Sequence, residues 1–200
     1  VDYLFLPDQK EIYTPDFQTY VEVTNLTKHL EGEFRPTHFK GVTTIVSILL
    51  NCVKPDFAIF GQKDAQQAAA IKQMVKNLKY DLEILLCPII RETDGLALSS
   101  RNIYLTPDDR TKALLLNKSL LKAKEVIDSG ERNVKKIVKS MNTYFAAEKT
   151  IHLNYIRIVK AEDFIEAEEL EEGENYYVLI AAKIGNVRLI DNILISQRGS

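Results

Sequence analysis

Cysteine, histidine and nucleophile motifs are scarce in this chain, and each shortage removes a class of function. Only Cys52 and Cys87 occur in 200 residues, and they form no Cys-x-x-Cys. One falls in a predicted helix and the other ends a predicted strand, so buried free thiols in a reducing cytosol are expected. His29, His38 and His152 are scattered, which argues against a histidine metal centre. There is no Gly-x-Ser-x-Gly, no P-loop and no paired Cys/His set, so no covalent nucleophile is recognisable. That absence suits chemistry in which the substrates bring their own nucleophile and the protein orients them and neutralises charge. No run of about 18 apolar residues offers a membrane span. No signal peptide is recognisable, and a cytoplasmic location is expected. The net charge of −2 offers no field for nucleic acid or an anionic membrane, so neither is expected as a partner.

What is present is ordinary globular material, 46% apolar and 27% charged. Its length suits one sizeable domain, or a domain with a small appendage. The chain starts without Met, inside an apolar stretch Val1–Leu6 that reads as a core strand. It ends in Arg198-Gly199-Ser200, which reads as a cloning remnant. A fragment is the expectation.

Asp8–Asp16 reads as a loop, Thr19–Val23 as a short strand and Leu26–Leu30 as a helical turn. Glu31–Gly41 mixes charges, aromatics and glycine in one long loop, the kind of segment that carries function. Val42, Ile45, Val46, Leu49 and Val53 share one helical face, so a helix over Gly41–Val53 should pack on a sheet. After Thr106 the character changes. Thr106-Pro107-Asp108-Asp109 is a strong helix start, and that helix should stop at Ser129-Gly130. A second helix is expected over Val134–Ala147, then a strand over Ile151–Val159. The acidic stretch Ala161–Glu174 reads as a solvated turn or short helix. Tyr176–Ile184 and Val187–Ile195, joined by Gly185-Asn186, read as a hairpin. A domain boundary is placed near Thr106: an α/β unit over 1–105 with parallel strands, then a small α+β domain with an antiparallel sheet over 106–197.

The chemistry concentrates between Phe57 and Asn102. Phe57–Phe60 reads as a buried strand ended by Gly61. Asp64 can cap a helix carrying Ala68, Ile71, Met74, Val75 and Leu78 at helical spacing, and Asp81–Cys87 follows as the next parallel strand. Lys63 then sits at a strand-to-helix turn, where open α/β sheets bind ligands and where free backbone N–H groups favour anions. Ser99-Ser100-Arg101 follows the second strand and so returns to the same edge. Together the two loops favour phosphate, because an arginine fork holds phosphate oxygens at two points. In the bland alternative the second loop is a solvated turn in which Arg101 pairs with Asp94. Gln66 and Gln67 lie in the first helical turn, where an amide can read a hydroxyl or carboxylate. Otherwise one is exposed and the other a weak cap.

At these residues the sequence resembles the pantoate–β-alanine ligases. The matching segments are Leu30-Glu31-Gly32, Arg35–Val42, Phe60–Gln67, Asp94–Asn102 with Tyr104-Leu105, and Val187–Asn192. The resemblance implies a Rossmann-like domain of the class I nucleotidylyl transferase type, followed by a lid-like α+β domain. It also implies an ATP- and Mg2+-dependent condensation of pantoate with β-alanine through pantoyl adenylate, in a homodimer. Carried over by motif, Gly61, Gln62, Lys63 and Asp64 would contact ATP. Leu98, Ser99, Ser100 and Arg101 resemble the family's KMSKS-type loop and would hold the nucleotide and the leaving pyrophosphate, with Lys63, Ser99, Ser100 and Arg101 as the catalytic residues. Ile90 would offer a backbone contact to adenine, and Gln67 would bind pantoate. Val42, Ile45 and Val46 would meet the methyl groups of pantoate. Glu31, Arg35 and His38 would line or shape the site. The family's His-x-Gly-His motif is not found in this sequence, so the chain by itself is expected to be inactive. A non-catalytic nucleotide-binding module and another nucleotidylyl transferase of the same fold are the alternatives.

Overall fold

The computed structural model describes residues 2 and 4–196. In chain order the elements are α1 (Gln9–Ile12), α2 (Glu31–Phe34), α3 (His38–Val53), β1 (Phe57–Gly61), α4 (Ala65–Leu78), β2 (Glu83–Cys87), α5 (Pro107–Asp128), α6 (Val134–Asn142), β3 (Ile151–Lys160), β4 (Asn175–Ile184) and β5 (Val187–Ser196). Short 3-10 turns cover Gln62–Asp64 and Ser100–Tyr104.

The β-α-β unit forms as expected. β1 and β2 pair in parallel, Phe57 opposite Glu83 and Gly61 opposite Cys87. Ala58, Phe60 and Ile84 pack on Leu50 of α3 and on Ile71, Met74 and Val75 of α4. The expectation of a strand buried on both faces fails: Phe57 is 57% and Ile59 66% exposed. Helices cover one face of this two-stranded sheet, and alternation leaves the other face open. The buried-thiol reading fails as well. Cys87 lies on the open face, Cys52 lies near the end of α3, and both are exposed.

In the first residues, Leu4, Phe5 and Leu6 belong to no strand and are exposed. Val1 and Tyr3 lie outside the described residues, as does the Arg198–Ser200 tail. A strand needs a ladder partner, and no described strand runs beside Leu4–Leu6. Thr19–Val23 is likewise no strand. The Val21 N–H donates to Thr44 Oγ1 (3.0 Å), and Thr43 Oγ1 donates to the Val21 carbonyl (2.6 Å), so helix hydroxyls replace the ladder. The helix expected from Gly41 starts at His38. Its first turn absorbs the glycine, whose N–H reaches the Thr37 carbonyl. The loop before it contains the single helical turn α2.

The second half follows its signals closely. The Thr106 hydroxyl accepts from the Asp109 N–H (3.1 Å), Pro107 occupies the first turn of α5, and α5 ends before Ser129 and Gly130. α6 is shorter than expected, ending at Asn142. β3, β4 and β5 form an antiparallel sheet with β4 central. Gly185 turns the hairpin at φ 54°, and a Cβ there would come within 2.7 Å of Asp109. On β4, Tyr176, Val178, Ile180, Ala182 and Ile184 join the core built by α5 and α6. Tyr177, Leu179 and Ala181 instead join Leu30 and Ala65 of the first half. The strand's near-continuous apolar run therefore reflects a sheet covered on both faces. It also means that the two halves share a core.

Candidate active site

Lys63 and the Ser99–Arg101 loop meet as expected at the edge of the parallel sheet. Together with Glu31, Arg35, Asp64, Leu98 and Arg188 they line a cleft of about 340 Å³. Lys63 Nζ donates to the Leu98 carbonyl (3.0 Å), so the two loops touch through the lysine itself. Burial, then the nearby Arg101, lowers the Lys63 pKa against the opposing pull of Asp64 and Asp191. Asp64 stands at the start of α4, but its carboxylate makes no capping hydrogen bond.

The second loop is shaped by its own side chains. Ser99 Oγ accepts from the Arg101 N–H (3.2 Å) and caps the 3-10 turn. Asp94 does not pair with Arg101. It accepts instead from Arg110 of α5 (2.6 Å), which also holds Glu92 (2.7 Å). Arg101 stays exposed, and among the described residues its guanidinium reaches only the Arg188 carbonyl (3.5 Å). Asn102 is buried and donates to Glu92 (2.6 Å) and to the Ala97 carbonyl (3.1 Å), closing the loop at its base.

A second, tighter cavity of about 30 Å³ shares Glu31, Arg35, Lys63 and Asp64 and adds His38, Gln67 and Tyr155. The expected residues Glu31, Arg35, His38 and Gln67 thus gather beside these two loops. Gln66 lines this cavity and is neither exposed nor a helix cap. It is 4% exposed, accepts from the Glu31 N–H (3.0 Å) and donates to the carbonyls of Leu26 (2.9 Å) and His29 (2.8 Å). One amide thereby holds a turn in which Leu30 adopts φ 57°, a conformation side chains rarely take. Gly32 follows because a Cβ there would lie 1.7 Å from the Thr27 carbonyl oxygen. Burial and the Arg35 charge both lower the His38 pKa, which favours the neutral imidazole.

Other expected residues lie elsewhere. Val42 and Val46 pack into the α3–α4 layer, and neither cavity is lined by Val42, Ile45 or Val46. Ile90 is exposed beside the second loop, its carbonyl accepting from the Leu98 N–H (2.9 Å). Gly61 ends β1, and Gln62 turns toward β5.

The residues missed from sequence sit mostly on that strand. Arg188 donates to both oxygens of Glu31 (2.6 and 2.7 Å), and the Tyr155 hydroxyl donates to Glu31 (2.8 Å). Burial raises the Glu31 carboxyl pKa, but these partners outweigh it and the net shift is downward. Asp191 receives two bonds from Arg91 (2.7 and 3.0 Å), yet burial still shifts its carboxyl upward. Asn192 reaches Gln62 and Lys63. A charge and an amide, Asp191-Asn192, inside an apolar strand were the available signal, since buried polar groups need partners.

This constellation can be set against known proteins. The family model described as Pantoate-beta-alanine ligase matches residues 1–194. The chain belongs to that family. It is 47% identical over 195 residues to the pantothenate synthetase of Acetivibrio thermocellus, covering 98% of this chain and 69% of that protein. It is 49% identical over 193 residues to the pantothenate synthetase of Chloroherpeton thalassium, covering 96% and 68%. Among solved structures, the pantothenate synthetase from Thermus thermophilus superposes with a TM-score of 0.89 at 38% identity, over 96% of this chain and 69% of that one. The Francisella tularensis pantoate-beta-alanine ligase, complexed with beta-gamma ATP and beta-alanine, matches with a TM-score of 0.64 at 33% identity, over 92% and 61%. These likenesses bear out the expected family and the fold of a parallel sheet with helices followed by a small antiparallel sheet. Among the described residues no helix is long and apolar enough to cross a membrane.

Proposed function

We propose that this chain provides the nucleotide and pantoate site of an ATP-dependent ligase that joins pantoate to β-alanine. The observation that carries the reading is the meeting of Lys63 and Asp64 with Leu98–Arg101 in one cleft at the sheet edge. Arg188 is matched by Glu31, so Arg35, Lys63 and Arg101 against Asp64 leave the cleft cationic. The Francisella relative's complex with an ATP species and β-alanine supports the same ligands here.

In this reading a pantoate carboxylate oxygen bonds to the α-phosphorus of ATP as the bond to the β-phosphate oxygen breaks, releasing pyrophosphate. Lys63 and Arg101 offset the charge on the phosphates, and Ser99 and Ser100 donate to them. The β-alanine amine then attacks the pantoyl carbonyl and AMP departs. Gln67 is assigned to pantoate, Gly61, Gln62 and Ile90 to backbone contacts with the nucleotide, and Val42, Ile45 and Val46 to an apolar wall beyond the two cavities. Among the described residues no cluster of three or more ligand side chains suggests a self-sufficient metal site. Mg2+ commonly rides on phosphates with one or two carboxylates, and the uncapped Asp64 fits that habit. When bound, the ion would neutralise phosphate charge. A cytoplasmic homodimer is the setting proposed.

The test is pantoate-dependent exchange of labelled pyrophosphate into ATP by the natural polypeptide that carries these residues. Exchange that requires pantoate, and that falls strongly in Lys63→Ala and Arg101→Ala, supports the reading. Exchange indifferent to pantoate, or unaltered by both substitutions, overturns it.

A further inference from the structure

Asn192 is 2% exposed, in the middle of β5, yet its amide is spent on the loop that carries Lys63. Its Nδ2 donates to the carbonyls of both Gln62 and Lys63 (3.0 Å each), and its Oδ1 accepts from Gln62 Nε2 (3.1 Å). Two carbonyls can only accept, so the amide orientation follows from the partners. Its neighbour Asp191 holds Arg91, which also donates to the Gly95 carbonyl (3.1 Å) at the base of the second loop. One dipeptide on a strand of the second sheet therefore ties down both loops of the cleft.

We propose that Asn192 is a positioning residue for Lys63, locking the Gln62–Asp64 turn so that the lysine ammonium stands at a set distance from the Ser99–Arg101 loop. The inference deepens the proposed function and rests on Lys63 meeting nucleotide phosphate. The physical argument is one of stiffness. A three-residue 3-10 turn has little stability of its own, and a lysine stem is flexible. Where the ammonium sits thus depends on what holds the backbone beneath it. Among the described residues Lys63 Nζ has a single hydrogen bond, to Leu98, and that partner is placed by the loop which Asp191 and Arg91 anchor.

Calorimetric binding of ATP and of adenosine is the test, on the natural polypeptide and its Lys63→Ala, Asn192→Ala and Asn192→Leu variants, with the doubles. Leucine keeps the volume of asparagine and serves if alanine unsettles the fold. Each Asn192 variant is expected to weaken ATP roughly tenfold, about 1.4 kcal/mol, and to leave adenosine within about twofold. In the Lys63→Ala background the same substitution should cost ATP less than about twofold, because coupled residues are non-additive. Equal losses in both backgrounds, or parallel losses for ATP and adenosine, overturn the positioning role. ATP affinity unchanged by Lys63→Ala alone overturns the phosphate reading itself, whatever Asn192 does.

Discussion

Arg188 and Glu31 lie 157 positions apart and meet in a two-point ion pair of 2.6 and 2.7 Å. The pair joins the hairpin sheet to the turn before α3, and Tyr155 completes it from β3. Breaking one side strands a largely buried charge, whereas replacing both sides with apolar groups removes the problem with the pair. Arg188→Met and Glu31→Leu should each destabilise the protein, toward the lower end of about 3–5 kcal/mol because both side chains keep some exposure. The double Arg188→Met/Glu31→Leu should recover part of that loss. Urea unfolding of the four species checks it, and full additivity would contradict it.

Gln66 satisfies three backbone groups at the strained Leu30 turn. Gln66→Leu keeps the volume and orphans all three, each worth about 1–3 kcal/mol if it stays buried. The expected loss is at least about 2 kcal/mol, with faster hydrogen exchange at the Glu31 amide. Gly32→Ala should disturb the same turn through the Thr27 carbonyl. Unchanged exchange at Glu31 in Gln66→Leu would show that the turn holds without its amide.

Arg101 is free of Asp94 and exposed at the cleft, so its fork is available to an anion. Arg101→Lys keeps the charge but loses the two-point contact. Pyrophosphate exchange should fall further in Arg101→Lys than the ordinary effect of a surface substitution, and further still in Arg101→Ala. A lysine variant indistinguishable from the parent would show that only charge is needed.

Acidification should weaken the fold in two stages. His38 has a folded pKa lowered first by burial and then by Arg35, with Glu31 and Asp64 opposing and Arg101 adding to the fall. A lowered folded value means its contribution is present above the ordinary histidine pKa of about 6.5 and is lost as pH falls through the folded value. Glu31 is also lowered: burial raises it, but Arg188 and Tyr155 prevail. Its contribution is present above about 4.3 and is lost as pH falls through its folded value. Unfolding midpoints across this range should show both stages, and His38→Gln should remove only the upper one. An upper stage that persists in His38→Gln would assign it to another group.

Much of this molecule was determined within short stretches of sequence. The capped start at Thr106-Pro107, the Gly185-Asn186 hairpin and the β1–α4–β2 unit each rest on signals a few residues long. The parallel connection then obliges Lys63 and Ser99–Arg101 to return to one edge. Burial was less legible, because alternation along β1 and β2 cannot say whether a second layer covers the far face. The Cys87 thiol is exposed for the same reason, whereas Cys52 is exposed near the end of α3.

What only the tertiary structure decided is who holds the site. Periodicity places Arg188, Asp191 and Asn192 on a strand but names no partner. Their bonds to Glu31, Arg91, Gln62 and Lys63 span about a hundred positions or more. Such contacts depend on which faces of two sheets come together, and that follows from packing Tyr177, Leu179 and Ala181 against Leu30 and Ala65. Local chemistry chose the groups that line the cleft, and the shared core set their distances from one another.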